Sequence, residues 1–106
     1  MATQNDLTRG DIVKISIDHI NNFRMVRLHG LRLENIDLEG LDLHGFIFTN
    51  CKLAGASFRN CKLNNATFTG ADLTDCDFTD ATGLSQGMFE GATMDGVLHN
   101  MSNVSF

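Results

Sequence analysis

Every fifth residue from Phe23 to Phe78 is Leu or Phe: Phe23, Leu28, Leu33, Leu38, Leu43, Phe48, Leu53, Phe58, Leu63, Phe68, Leu73 and Phe78. Two residues before each, from Leu28 onward, stands a second apolar or small residue: Val26, Leu31, Ile36, Leu41, Phe46, Cys51, Ala56, Cys61, Ala66, Ala71 and Cys76. A period of five matches neither the helical 3.6 nor the strand period of two, so no ordinary amphipathic element can satisfy it. It is an internal repeat, and a chain built this way stacks small units that each bury an inner face against their neighbours. That route suits a chain of 106 residues, for which ordinary globular burial is marginal.

Written from the small residue, the later units read CKLAG, ASFRN, CKLNN, ATFTG, ADLTD and CDFTD. These resemble the pentapeptide-repeat family, whose unit is approximately A-(D/N)-(L/F)-x-x. The resemblance covers about sixty residues and implies an all-β chain: a right-handed quadrilateral β-helix with four units per turn. Twelve units then make about three coils, stacked at about 4.8 Å. The central Leu or Phe and the residue two before it point inward.

Two physical readings agree with that geometry. The residue two after each centre is a corner, where tight backbone favours Gly, Asn or Asp. From the second unit on, these are Gly30, Asn35, Gly40, Gly45, Asn50, Gly55, Asn60, Asn65, Gly70, Asp75 and Asp80. A twenty-residue turn also sorts the core into columns, with Leu28, Phe48 and Phe68 on one wall and Leu38, Phe58 and Phe78 opposite. The remaining columns are Phe23–Leu43–Leu63 and Leu33–Leu53–Leu73. Phe side chains ten residues apart meet across the interior, beside small Ala or Cys, as close packing demands. The first coil departs from the family pattern, since Val26, Leu31, Ile36, Leu41 and Phe46 are large for the inner small position. It is expected to be a wider turn that receives the N-terminal segment.

The expected organisation is a single domain over 1–106, with an N-terminal cap at 1–22, the solenoid at 23–82, and a C-terminal cap and tail at 83–106. Over Thr8 to Ile20, the spacing of Ile12/Val13, Ile17 and Ile20 fits one helical face with Ser16 and Asp18 outward. Thr8 and Asp11 resemble a capping box. The alternation of Val13-Lys14-Ile15-Ser16-Ile17 fits a strand instead. Either element should cover the open end of the repeat, whose strand edges would otherwise be exposed; the helix is the favoured reading. Gly83 breaks the register, and Ser85 is a fair N-cap for a short capping helix through Glu90. The tail keeps Leu98, Met101, Val104 and Phe106 among polar residues, which suits closure of the C-terminal end or a homodimer through the tail.

Composition narrows the function classes. There is no Trp, Tyr or Pro, and five of the eight Phe occupy repeat centres, so the aromatics read as core filling. Cys51, Cys61 and Cys76 all fall at the inward small position, as small buried hydrophobes rather than nucleophiles. His19, His29, His44 and His99 lack metal-ligand spacing and read as solvated surface. No catalytic, cofactor-binding or metal-binding constellation emerges, and an enzyme is not expected. The start MATQNDLTRG lacks a basic n-region and an apolar h-region, and no apolar run reaches the ~18 residues of a membrane span. Those features point to a cytoplasmic protein with no membrane partner, and the setting expected for its function is a bacterial or phage cytoplasm.

Net charge is −5, unevenly placed. Residues 1–62 hold all eight Lys and Arg against seven acids, whereas 63–106 hold six acids and no base. The acids Asp72, Asp75, Asp77 and Asp80 fall on successive sides of the last coil. Ile47 stands at an outward position where other units carry Arg, Asp, Lys, Ser or Thr. These five residues form the candidate partner surface. The favoured function is a non-catalytic protein-interaction or scaffold solenoid with a partner of unknown identity. The alternative follows from the family resemblance, since some relatives resemble duplex DNA in shape and charge and bind type II topoisomerases such as gyrase. Direct nucleic-acid binding is disfavoured by the negative charge and the buried Phe.

Overall fold

The computed structural model describes residues 4–22 and 25–100, and its order of elements is helix α1 (Arg9–Asn22), strands β1 (Val26–Arg27) and β2 (Phe46–Ile47), and a single 3-10 turn at Gln86–Phe89. Phe23, the expected first repeat centre, and the tail residues Met101, Val104 and Phe106 lie outside the described residues.

The strands are short because each side of the coil holds only a few extended residues before a corner. β1 and β2 pair in parallel, Val26 with Phe46 and Arg27 with Ile47. Parallel bridges then recur at twenty-residue separation: Arg32–Lys52, Asp37–Ser57, Asp42–Lys62, Ile47–Thr67, Lys52–Asp72, Ser57–Asp77 and Lys62–Thr82. One turn of the coil is therefore twenty residues, or four units. The first coil keeps the same separation as the later ones, so its bulky inner residues do not lengthen the turn. Leu31 and Leu41 are instead only partly buried, while Val26 and Ile36 reach the core.

The corners behave as turn chemistry requires. All eleven corner residues from Gly30 to Asp80 have positive φ, between 58° and 79°. Asn and Asp tolerate this left-handed region because their short polar side chains bond locally. Gly55 shows a second constraint: a Cβ there would run into the side chain of Asn35 in the coil below.

Above the first coil, where Leu28 and Leu38 hold the same positions, two ladders of rings run up the interior. Phe48 and Phe68 are parallel at 5.1 Å, and Phe58 and Phe78 are parallel at 4.9 Å. Across the interior the ladders meet edge to face, Phe58–Phe68 at 5.2 Å and Phe68–Phe78 at 5.5 Å. Both arrangements are favoured by the aromatic quadrupole. The small inner residues Cys51, Ala56, Cys61, Ala66, Ala71, Cys76 and Ala81 are all buried and leave room for the rings.

Pairing does not stop at Thr82. Gly83 (φ +80°) inserts one residue, and the bridges resume at twenty-one, Asp72–Thr93 and Asp77–Leu98. A side chain at Gly83 would meet the backbone nitrogen of Asn64 at 2.6 Å, so only glycine fits the insertion. Phe89 thereby lands on the ring ladder, 5.6 Å from Phe68 and nearly parallel to it. The short helix expected from Ser85 to Glu90 is the 3-10 turn Gln86–Phe89, with Met88 and Phe89 buried.

At the other end α1 is a helix, not a strand, and it starts as expected. Thr8 N–H donates to Oδ2 of Asp11 (2.9 Å), and Asp11 N–H donates to Oγ1 of Thr8 (3.2 Å). The Thr8 N–H, and after it the Thr8 hydroxyl, hold the Asp11 carboxyl below its ordinary range. The expected inner face is wrong in part. Ile12 is buried, but Ile17 and Ile20 are 54% and 41% exposed, and Ser16 and His19 take the inner positions. For His19 the physical reason is hydrogen bonding at the base of the coil, which offers a backbone group that isoleucine cannot satisfy, whereas the Ser16 hydroxyl donates to the Val13 carbonyl of its own helix (2.8 Å). His19 Nε2 lies 2.7 Å from the carbonyl oxygen of His44. The Arg9 guanidinium donates to the carbonyls of Asp37 (2.9 Å) and Glu39 (3.1 Å). Before the helix, Asp6 N–H donates to the Arg32 carbonyl (2.9 Å), and Arg32 N–H donates to the Asp6 carboxylate (2.7 Å).

Candidate interaction surface

Each unit places two side chains outward, one on either side of its central Leu or Phe, so each wall carries two outward columns. The bridges define the first: Arg27–Ile47–Thr67, Arg32–Lys52–Asp72–Thr93, Asp37–Ser57–Asp77–Leu98 and Asp42–Lys62–Thr82. Charged residues in one column sit at the inter-coil spacing of about 4.8 Å, close enough to interact.

The four acids flagged in the sequence do not share a wall and fall into two kinds. Asp75 and Asp80 are exposed corners with φ of 59° and 62°. Asp72 and Asp77 lie on two successive walls, half-buried, and each closes a local turn. Asp72 Oδ1 accepts from the Thr74 N–H (3.1 Å) and hydroxyl (2.6 Å), and Asp77 Oδ1 accepts from the Thr79 N–H (2.9 Å) and hydroxyl (2.5 Å). Asp80 is also engaged, since Asn100 donates to its carboxylate at 2.6 Å and accepts from its N–H at 2.9 Å.

Arg59 changes the electrostatics of this side. Its guanidinium donates to Asp77 Oδ2 at 3.0 Å and approaches Glu39 Oε1 at 3.6 Å, linking three coils. Burial raises the Asp77 carboxyl, but the Thr79 hydroxyl and N–H and the Arg59 guanidinium outweigh it, and the net shift is downward. The acidic coil is therefore not a uniform anionic field: Lys52 neighbours Asp72 in one column, and Arg59 is bonded to Asp77.

Ile47 is half-buried, bridged between Arg27 and Thr67 on a wall whose other outward column carries Thr49 and Thr69. Those four side chains, Ile47, Thr49, Thr67 and Thr69, are uncharged. Each of the other three walls carries charge over the same two coils: Lys52 and Asp72, Arg59 and Asp77, and Lys62.

The cysteines occupy the expected inner positions. Each thiol donates to a carbonyl of the coil below, Cys61 to Leu38 at 2.9 Å and Cys76 to Leu53 at 3.0 Å, with Cys51 bonded likewise to Leu28. Desolvation pushes Cys61 up to about 11 and Cys76 up to about 12 and also raises Cys51, which suppresses the nucleophilic thiolate.

The histidines correct the sequence reading. His29 is exposed, but His19 is buried and packs its ring 4.6 Å from that of His44 and edge-on to Phe46. His44 in turn places Nδ1 2.8 Å from Oδ1 of Asp42. Burial raises Asp42, but the hydrogen bonds from His44 overcome it and leave the carboxyl lowered. No periodic signal marks this cluster, because it joins the helix to the coil through side chains twenty-five residues apart in sequence. Among the described residues, no group of three or more His, Cys, Asp or Glu is placed to hold a metal ion, and no helix is long and apolar enough to cross a membrane.

Residues 47–80 match the family model for pentapeptide repeats in eight copies. Residues 47–80 are therefore a run of pentapeptide repeats. A solved pentapeptide-repeat protein, Rfr23 from the cyanobacterium Cyanothece 51142, superposes with a TM-score of 0.53 at 22% identity, covering 78% of this chain and 52% of Rfr23. HetL, a pentapeptide-repeat protein from Nostoc sp. strain PCC 7120 involved in heterocyst differentiation regulation, matches at 20% identity over 76% of this chain and 42% of its own, with a TM-score of 0.29. The chain thus spans about half the length of the solved relatives it resembles. No curated protein sequence matches it significantly. The likeness to Rfr23 is one of fold, a right-handed quadrilateral β-helix.

Proposed function

We propose that this pentapeptide-repeat protein is a non-catalytic interaction scaffold, acting in the cytoplasm of a bacterium or phage-infected cell. In this reading α1 and its preceding residues cap the first coil, residues to 82 form the working solenoid of about three coils, and the remainder continues and closes it as part of the same domain. The observation that carries the reading is the division of labour along each unit. The inward residues are consumed by a packed interior, and the three thiols are sealed within it with raised pKa values. The outward residues stand in straight columns on flat walls, a rigid display that a binding partner can read without reorganisation.

Photo-crosslinking amino acids placed singly at Ile47, Lys52, Ser57 and Lys62, one per wall, test this in cells. Adducts of one mass confined to one wall support a scaffold with a defined docking face. Equal, weak adducts on all four walls count against it.

The second reading, mimicry of DNA toward a type II topoisomerase or another DNA-binding protein, draws on the exposed carboxylates of Asp75 and Asp80 beside Asp72 and Asp77. An acidic rod that occupies a basic DNA channel is physically sound. The pairing of Arg59 with Asp77 weakens it, because that guanidinium removes charge from the centre of the acidic surface. A supercoiling assay with purified gyrase separates the two. Inhibition or protection lost in the Asp72/Asp75/Asp77/Asp80→Asn variant supports mimicry, and no effect at micromolar protein leaves the scaffold reading.

A further inference from the structure

The wall bearing Ile47 differs from the other three in a way that points to a second copy of this chain. From the geometry we infer that two molecules associate face to face through this wall, with their coil axes antiparallel. The inference goes beyond the scaffold reading, which concerns a partner of another kind.

The argument begins with charge. Over the two middle coils this wall presents Ile47, Thr49, Thr67 and Thr69, an uncharged field of methyl and hydroxyl groups on a flat parallel ladder. Two copies of a molecule with net charge −5 repel, and this wall lets them meet without desolvating a charge at the centre of contact. Met25, 62% exposed, adds an apolar side chain at the lower corner, held against the Arg27 Nε at 3.3 Å.

The two ends of the wall fix the orientation. Its base carries Arg27 and His29 in the first coil, and its top carries Glu90, whose carbonyl accepts from Gly70 N–H. Neither Arg27 nor Glu90 takes part in an ion pair among the described residues. A two-fold axis lying along the strand direction, between the second and third coils, reverses the order of coils in the partner. Ile47 then faces Thr67 of the other copy, Thr49 faces Thr69, and Glu90 of each copy stands over His29 of the other with Arg27 in the adjoining column, twice by symmetry. Parallel stacking would instead bring Arg27 of one copy against His29 of the other, with no acid opposite. The pattern is therefore self-complementary in one orientation only.

A single wall about four coils high, at about 4.8 Å per coil, is smaller than the about 800 Å² per partner of a stable interface. The association is expected to be reversible and seen at high protein concentration. Its ionic ends should make it weaken as salt rises.

Sedimentation equilibrium of the full chain over a wide concentration range tests this. The mass should climb from 11.7 kDa toward twice that value. Ile47→Lys, checked for folding by circular dichroism, should lower the association constant at least tenfold. Arg27→Glu and Glu90→Arg should each lower it, and the double exchange Arg27→Glu/Glu90→Arg should restore it, which a merely structural role for either residue would not do. A mass fixed at 11.7 kDa at every concentration overturns the inference. So does a dimer that ignores Ile47→Lys and disappears only when Leu98–Phe106 is deleted, because that dimer uses the C-terminal end. The scaffold reading is judged separately by crosslinks to proteins of other mass.

Discussion

The middle coils and the N-terminal end solve the same problem by different means. Between Phe46 and Ala81 every inner position is buried, small residues alternate with large ones, and the Phe rings stack in two parallel ladders. Any unit there could be exchanged for the unit twenty residues away with little change. The N-terminal end has no coil beneath it and cannot use the repeat. Its lower edge is met by unlike groups from residues 5 to 19: Asp6 on Arg32, the Asn5 amide on the Glu34 carbonyl, Arg9 on Asp37 and Glu39, and His19 on His44. A repeat propagates itself by identical pairing, whereas an end must satisfy backbone groups that have no next copy.

The comparison is broken most directly by opening the interior. Phe58→Ala or Phe68→Ala removes a ring that touches neighbours in its own ladder and in the opposite one, and should cost about 3–5 kcal/mol of stability in urea denaturation. A loss below about 1 kcal/mol would mean that the ladders are not the source of rigidity.

Arg9→Ala should do less. It removes two charge-assisted bonds from an exposed guanidinium, for which about 1–2 kcal/mol is expected. The effect should also be local, with amide exchange accelerating in α1 while the middle coils keep their protection. Uniform acceleration would show that the end and the middle unfold as one unit.

The smallest effect belongs to the outer surface. Asp77→Asn weakens the bond to Arg59 and should lower stability at neutral pH by less than about 1 kcal/mol. Because the Asp77 carboxyl titrates lower in the folded chain, its contribution is present above the unfolded value of about 4 and is lost as pH falls through the lower folded value. The gap between wild type and variant should therefore close in thermal melts below about pH 4. A gap that persists into strong acid would show that the asparagine acts through packing and not through charge.

How legible this was depended on whether a feature repeats. The columns of Phe48/Phe68 and Phe58/Phe78 and the positive-φ corners from Gly30 to Asp80 follow from a period of five folded four units to a turn. The burial of the three cysteines follows from the same rule. The helix was legible through Thr8 and Asp11, because a capping box is a local bond pattern. Its inner face was not. Ile17 and Ile20 look like core in a linear reading, and only the His44 carbonyl at the base of the coil explains why His19 turns inward in their place. The candidate surface divides in the same way. That Asp72, Asp75, Asp77 and Asp80 point outward could be read from the repeat. That Asp72 and Asp77 are tied down by Thr74, Thr79 and Arg59 could not.

The sequence by itself determined the twenty-residue turn, the identity of every inward residue over the middle coils, and the places where the backbone must turn left-handed. These are consequences of periodicity and of the steric limits on each residue type, which act locally and identically in every unit. Tertiary structure alone decided how the coil begins and what continues it past Gly83. It also decided which charges face which, with Arg59 reaching to Glu39 below and Asp77 above. Those outcomes depend on side chains brought together from distant positions, where the competing terms are backbone groups and charges that only the assembled coil presents.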